Sequence, residues 1–542
     1  MLRTFTRAAL FACIVTFLGC PPPPPPVEET PDASTGSPDA STDAGQQPTE
    51  EWDGSYVPLP ETGSNWTDPG PLSACAIPGG NCEDFSTFNL SGCDTASLAN
   101  ADTSGQYLLT SRFQRTDGSY SSMWAYPFGF ASDGGTTAYL SGQPTTELRN
   151  GNARLFTVQT AAFADGGTRR TAMVTCSAPQ APEFTGCLAL CRNGVTTSRA
   201  TFASNRLQWR AGETEASGLE LVSEKRVDIG YPADVYVTQN HAYVVSLNIA
   251  RRGLVGGLSV FDVSNKAAPV LVKTIQMSGD TYWNGVWAKG NALYVASQSK
   301  LVVVFDITNP ADPQFVRTLG TGNGHTVFVD GNRLYATGGL SGVHIYDVTT
   351  PTNPIEVARY APVSDASPHD MFAAGNRLYV NYAGAGYFIA DTSDLNNIRT
   401  LGDYTYSSSE QYSHANAVTT LGGRTISFMG GEGPGEHLRV LDITDPTRIV
   451  KIGEFQLRAP ISIHNMVLVG RKLYLSWYQE GVRVLDVSNP TRPTQVAYFN
   501  TYRENDPNRG DYYDGAIGIR VPGDGYIYTV DTGRGLLILR EK

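Results

Sequence analysis

The chain has 542 residues, 17% of them charged and 41% hydrophobic, enough to bury the cores of two or more domains. Its formal net charge of −12 repels phosphate backbones and anionic lipid headgroups, so nucleic acid is excluded as an expected partner. No H-E-x-x-H motif, nucleophile elbow or phosphate loop occurs, so no catalytic residue is assigned and the chain does not read as an enzyme.

The N-terminus carries Arg3 and Arg7, an apolar stretch from Ala8 to Leu18, then Gly19 and Cys20. This is the layout of a secretory signal sequence, too short to remain as a spanning helix. Phe17, Leu18, Gly19 and Cys20 together resemble a bacterial lipobox. The resemblance implies that residues 1–20 are a lipoprotein signal peptide and that the Cys20 thiol is lipidated. It also implies an extracytoplasmic protein of the bacterial cell envelope, held to a membrane by that lipid. Residues 21–70 are expected to be a tether. Pro21 to Pro26 make a stiff start, and the following tract, rich in Ser, Thr, Asp, Gly and Pro to about Trp52, lacks the apolar surface to offset its ordering entropy.

Residues 71–215 hold six cysteines, Cys75, Cys82, Cys93, Cys176, Cys187 and Cys191, and none lies in the chain beyond them. An even set in an exported segment reads as up to three disulfides, with the pairing open; without a C-x-x-C pair or a neighbouring histidine, a metal site is the weaker reading. Cys187 and Cys191, four residues apart, are expected to pair elsewhere. Strand-like runs such as Gln106–Phe113, Arg154–Gln159 and Thr171–Thr175, separated by turn signals, predict a small antiparallel sandwich or barrel. Tyr120, Trp124, Tyr126, Phe128 and Phe130 alternate with other residues, the period of a strand with one face in a core or on a ligand.

From Leu219 to the end at 542 the chain repeats. An apolar strand ends in aspartate and runs into a Ser/Thr and Asn/Pro turn at Asp262, Asp306, Asp347, Asp391, Asp442 and Asp486, in steps of 44, 41, 44, 51 and 44 residues. That period, filled only with strand-like pieces, is one four-stranded propeller blade. The aspartate is expected to accept backbone N–H groups in the turn between strands three and four. A proline seven residues later, as at Pro269, Pro313, Pro354 and Pro493, marks the start of an edge strand. Leu219 to Ile229 reads as a fourth strand without its first three, and the stretch from Asp514 to Leu539 as three strands without a fourth. Joined, they complete a seventh blade and close the ring. The fold class is therefore all-β, a seven-bladed β-propeller closed by an N-terminal outer strand and preceded by the cysteine-containing β-domain.

These turns, the apolar strand before them and the histidine-containing strand starts resemble the LVIVD-repeat proteins, a family of propellers common in exported bacterial proteins. The resemblance covers about 230–540 and implies a surface or adhesion-related role.

Chemistry is expected where the innermost strands begin, because these positions converge on the central channel. Alignment on the second strand brings Ala233, Asn284, His325, His369, His414, His464 and Asp514 to the mouth, with Asp234, Asp370 and Asn465 directly after three of them. One reading is structural: a repeated His or Asn bonds backbone groups of the neighbouring blade. The other is that His325, His369, His414 and His464 hold a divalent metal or titrate near neutral pH. Gly430 to Gly435, around Glu432, reads as loop flexibility. Three functions follow: a surface-anchored binding, adhesion or scaffold lipoprotein with a protein or glycan ligand contacted through loops such as Tyr502 to Tyr513; a metal-dependent propeller enzyme built on the channel histidines; or an envelope assembly factor. The first is preferred, and it requires no cofactor.

Overall fold

A computed structural model of the chain describes residues 51–61, 70–115, 117–130, 138–161, 166–180, 182–249, 253–406, 411–507 and 509–542. The leader, Cys20 and the start of the expected tether lie outside the described residues. Among those described there are 38 strands and no α-helix.

Nine strands precede the propeller: β1 (Gln106–Gln114), β2 (Tyr120–Phe130), β3 (Ala138–Leu140), β4 (Gln143–Pro144), β5 (Thr146–Asn150), β6 (Ala153–Ala161), β7 (Thr168–Gln180), β8 (Glu183–Arg192) and β9 (Val195–Arg206). They form one sheet in the order β4-β3-β2-β1-β9-β8-β7-β6-β5. Its two edges, β4 and β5, are joined by Thr145 alone, so the sheet curls until they nearly meet. Of the two architectures expected, this is the barrel. Tyr107, Phe128, Phe130, Phe156, Phe184 and Phe202 fill the interior in edge-on pairs, which suits the ring quadrupoles. Phe128 and Phe130 are thus core residues, while Trp124, further along the same face of the strand, is 57% exposed.

Three disulfides, Cys75–Cys187, Cys82–Cys191 and Cys93–Cys176, staple the segment before β1 across β7 and β8. Cys187 and Cys191 share a strand and a buried cluster, so both reach the overlying segment instead of each other. Each bridge contributes roughly 2–4 kcal/mol by restricting the unfolded chain.

The propeller has seven blades with inner strands Tyr231–Thr238, Trp283–Lys289, Gly324–Asp330, Asp370–Ala374, Ser413–Leu421, Asn465–Val469 and Ala516–Arg520. Tight hairpins follow several of these, with Gly290, Gly331 and Gly375 at φ of +54°, +53° and +57°. The turn aspartates act as their spacing suggests: Oδ1 of Asp306, Asp347 and Asp486 each accepts the N–H two residues on at 2.7 Å. Pro269, Pro313, Pro354 and Pro493 immediately precede outer strands, where a missing donor is harmless.

Closure joins distant segments. β11 (Leu219–Lys225) pairs antiparallel with the last strand, Gly535–Glu541, in the register Leu219↔Glu541, Leu221↔Leu539 and Lys225↔Leu536. Just before it, β10 (Ala216–Ser217) pairs with the outer strand of blade 6, Thr494–Phe499. Gly218 turns the chain from one blade to the next at φ +70°, where a Cβ would lie 2.8 Å from that of Ala497.

Two segments, one expected to be a tether and one expected to contact ligand, are held in the fold. The tether was expected to run to residue 70, but residues 51–61 are docked on blade 5. Gly54 accepts from Arg424 at 2.6 Å, Leu59 N–H donates to Lys451 at 2.9 Å, and the Glu61 carboxylate lies 3.3 Å from the Arg439 guanidinium. The physical reason is a repeated pair. Blades 5 and 6 carry Glu436–Arg439 and Glu480–Arg483, with both arginines fully buried and beneath Tyr406 and Tyr498 respectively. Each arginine takes a second carboxylate from outside the propeller, Glu61 or Glu213. The loop from Tyr502 is likewise partly structural, because the Tyr502 carbonyl accepts from Trp209 at 2.9 Å and Glu504 pairs with Arg206 at 2.9 Å, joining propeller to barrel.

Candidate functional site

The inner strands bulge where they meet the channel, and strand register identifies the residue each blade presents there. Between Ser413↔Gly431 and Ala415↔Gly430 the extra residue is His414; between Trp283↔Ser297 and Val286↔Val295 lie Asn284 and Gly285; between Gly324↔Gly338 and Val327↔Ala336 lie His325 and Thr326. Equivalent positions are Ala233, His369 and His464. In blade 7 the position belongs to Ile517, bulged between Ala516↔Asp531 and Gly518↔Val530. Asp514, expected at the mouth, instead accepts the Tyr231 hydroxyl at 2.7 Å and the Asp511 N–H at 2.6 Å. The insertion before this strand displaced the count by three residues.

The polar residues therefore make an arc over blades 2 to 6, closed by Ile517 and Ala233. Ring centroids are 4.2 Å apart for His325–His369, 4.2 Å for His369–His414 and 4.6 Å for His414–His464. The arc's ends are tied to neighbouring blades: Asn284 Nδ2 donates to the His325 carbonyl at 3.2 Å and lies 3.1 Å from His325 Nε2, and His464 Nδ1 donates to the Ile517 carbonyl at 2.7 Å. Its middle is not tied in this way. Nδ1 of His369 and both ring nitrogens of His414 are buried without a hydrogen bond.

Burial keeps these imidazoles neutral. It pushes His325 down to about 4 and His464 to about 3, and places His369 and His414 well below the usual range. Titration near neutrality, expected of the histidines, passes instead to carboxyls: burial raises Glu432 and Asp370 each to about 7. Asp370 lies one step deeper in the channel, accepting the Met371 N–H at 2.7 Å. Asp234 occupies the same tier in blade 1, accepts the Val286 N–H at 3.1 Å, and is raised by burial against the opposing charge of Arg520.

Glu432 is the member that sequence reasoning missed. It sits in the glycine-rich run after the second strand of blade 5, with Oε2 3.6 Å from His414 Nε2 and its other oxygen accepting from the Tyr478 hydroxyl. Tyrosines border it: Tyr282, Tyr412 and Tyr513 each carry a raised hydroxyl, first from burial and then from this carboxylate. Above His325 and His369 opens a cavity of about 770 Å³, lined also by Tyr282, Tyr412, Gln298, Asn323 and Asp365. The other three histidines lie elsewhere: His241 against the Gln239 carbonyl, His344 with Glu356, His437 near Glu454.

The LVIVD repeat matches residues 229–276, 280–321 and 467–501, which are blades 1, 2 and 6. The chain carries LVIVD repeats. Solved structures similar to the LVIVD propeller include the WD40 β-propeller domain of Doa1 (12% identity, 60% of this chain and 98% of that one, TM-score 0.46). The β-propeller domain of Myceliophteria thermophila Cps50 (Swd1) is similar at 13% identity over 59% and 99% of the two chains, TM-score 0.44. A computationally designed protein, Ika8, is similar at 8% identity over 59% and 99%, TM-score 0.40. No curated protein matches the chain. The three disulfides and the LVIVD repeats suggest an extracytoplasmic protein.

Proposed function

We propose that this protein is a binding lipoprotein of the bacterial cell envelope, anchored through Cys20, whose LVIVD propeller takes a glycan at the tyrosine-bearing channel mouth. The observation that carries the reading is the cavity of about 770 Å³ at that mouth. Its lining supports a sugar: half-buried Tyr282 and Tyr412 offer ring faces for the apolar side of a pyranose, and Gln298, Asn323 and Asp365 offer donors and acceptors for hydroxyls. Nucleic acid is not proposed, given the net charge of −12.

The test is binding of envelope oligosaccharides to the full chain on a glycan array, repeated with Tyr282→Ala/Tyr412→Ala. Retention of a defined glycan class, lost in the double variant at unchanged melting temperature, is expected. Binding of no glycan, or equal binding by the variant, contradicts the proposal, and capture of an envelope protein through the same tyrosines replaces it with a protein ligand. For the anchor, labelled fatty acid is expected on the wild type and absent from Cys20→Ala; an unlabelled wild type removes it.

A further inference from the structure

We infer that His369, His414 and Glu432 form a binding site for one divalent transition-metal ion at the floor of the channel mouth. Nothing in the repeat requires it. The structural duty of the inner-strand position, bonding the next blade, is performed by Asn284 and His464 at the ends of the arc. His369 and His414 are left with three buried imidazole nitrogens lacking any hydrogen bond, a condition that calls for a ligand. One nitrogen from each and a Glu432 oxygen all lie within 4.8 Å of one another. Small side-chain rotations bring such donors onto a common ion at about 2.0–2.2 Å.

The surroundings have the form that metal ligands require. Tyr478 donates to the other Glu432 oxygen and orients the carboxylate, as an outer-shell partner does. His325, edge-on to His369, and His464, tilted against His414, flank the two ligand rings, each fixed by its own hydrogen bond. Neutral imidazoles beside one carboxylate select zinc, cobalt, nickel or copper over calcium and magnesium, which take all-oxygen sites. Two neutral rings and one carboxylate leave net positive charge on a divalent ion. Of the three donors His369 also lines the cavity, so the site adjoins it. The six cysteines of the barrel are paired and offer no competing thiolate.

The inference is independent of what the tyrosines bind, because it is tested with the metal alone. Full-length protein, prepared without chelator or histidine tag, is titrated with Zn²⁺ by calorimetry and with Co²⁺ by visible absorption. One equivalent of each is expected, with Co²⁺ bands of a mixed nitrogen and oxygen site. His414→Ala is expected to weaken binding by about 100-fold or more and Glu432→Gln by at least about 10-fold, while His241→Ala, away from the mouth, is unchanged. Glu432→Gln keeps an acceptor for Tyr478 and decides the matter if His414→Ala does not fold. Absence of a stoichiometric ion, or equal affinity in Glu432→Gln, overturns the inference.

Discussion

At the scale of single residues the channel is governed by desolvation. Asp370 binds its proton more tightly in the folded protein, at about 7, than in the unfolded chain, near the ordinary 3.8. Between those values the folded state holds the extra proton, so this group's contribution to stability is full at low pH and is lost as pH rises through about 7. Asp370→Asn keeps an acceptor for the Met371 N–H and cannot ionise. The variant is expected to gain on the wild type by roughly 2–3 kcal/mol between pH 5 and pH 8, measured by urea denaturation. An offset that does not change with pH contradicts the buried-carboxyl description. The arc histidines act in the opposite sense, since their depressed values make the unfolded chain the better proton acceptor below about 6.5, and they destabilise the fold on acidification.

At the scale of elements, period and turn chemistry were readable because each blade needs the same backbone turn, and only aspartate with a short polar partner closes it repeatedly. The arc at Asn284, His325, His369, His414 and His464 was readable for the same reason, as a fixed offset from a recognisable second strand. Asp514 was misplaced because the insertion and the bulge at Ile517 change the offset without changing the residue types nearby. Glu432 was hidden because glycines on both sides look like a loop, and its role depends on a histidine from the facing strand. The cysteine pairing was not readable, since nothing in the segment before β1 repeats. The paired arginines of blades 5 and 6 add a second layer to the repeat. Arg483 holds Glu480, which is 1% exposed, together with Glu213 from the segment leading in from the barrel. Arg483→Ala leaves both carboxylates without this partner and is expected to cost about 3–5 kcal/mol. Arg483→Lys should recover only part of that, because an ammonium cannot repeat the fork. Unfolding curves of the three proteins check this, and a loss below about 1 kcal/mol in Arg483→Ala would mean that the bracket between barrel and propeller is not formed.

At the scale of the whole molecule, function depends on a ring that the chain closes with its own distant parts. The barrel hands over to β10 on blade 6 and then to β11 on blade 7, so the last strand, Gly535–Glu541, finds its partner more than 300 residues earlier in the chain. Without that pairing blade 7 has an open edge, and the close inter-strand approach that gathers Asn284, His325, His369, His414 and His464 loses its circumference. Hydrogen exchange read by mass spectrometry on native, full-length protein measures the closure directly. Amides of Leu219–Lys225 are expected to exchange as slowly as those of Gly535–Glu541 and to become exposed together with them in a single unfolding event. Rapid exchange of Leu219–Lys225 while the inner strands remain protected would contradict a closed seven-bladed ring.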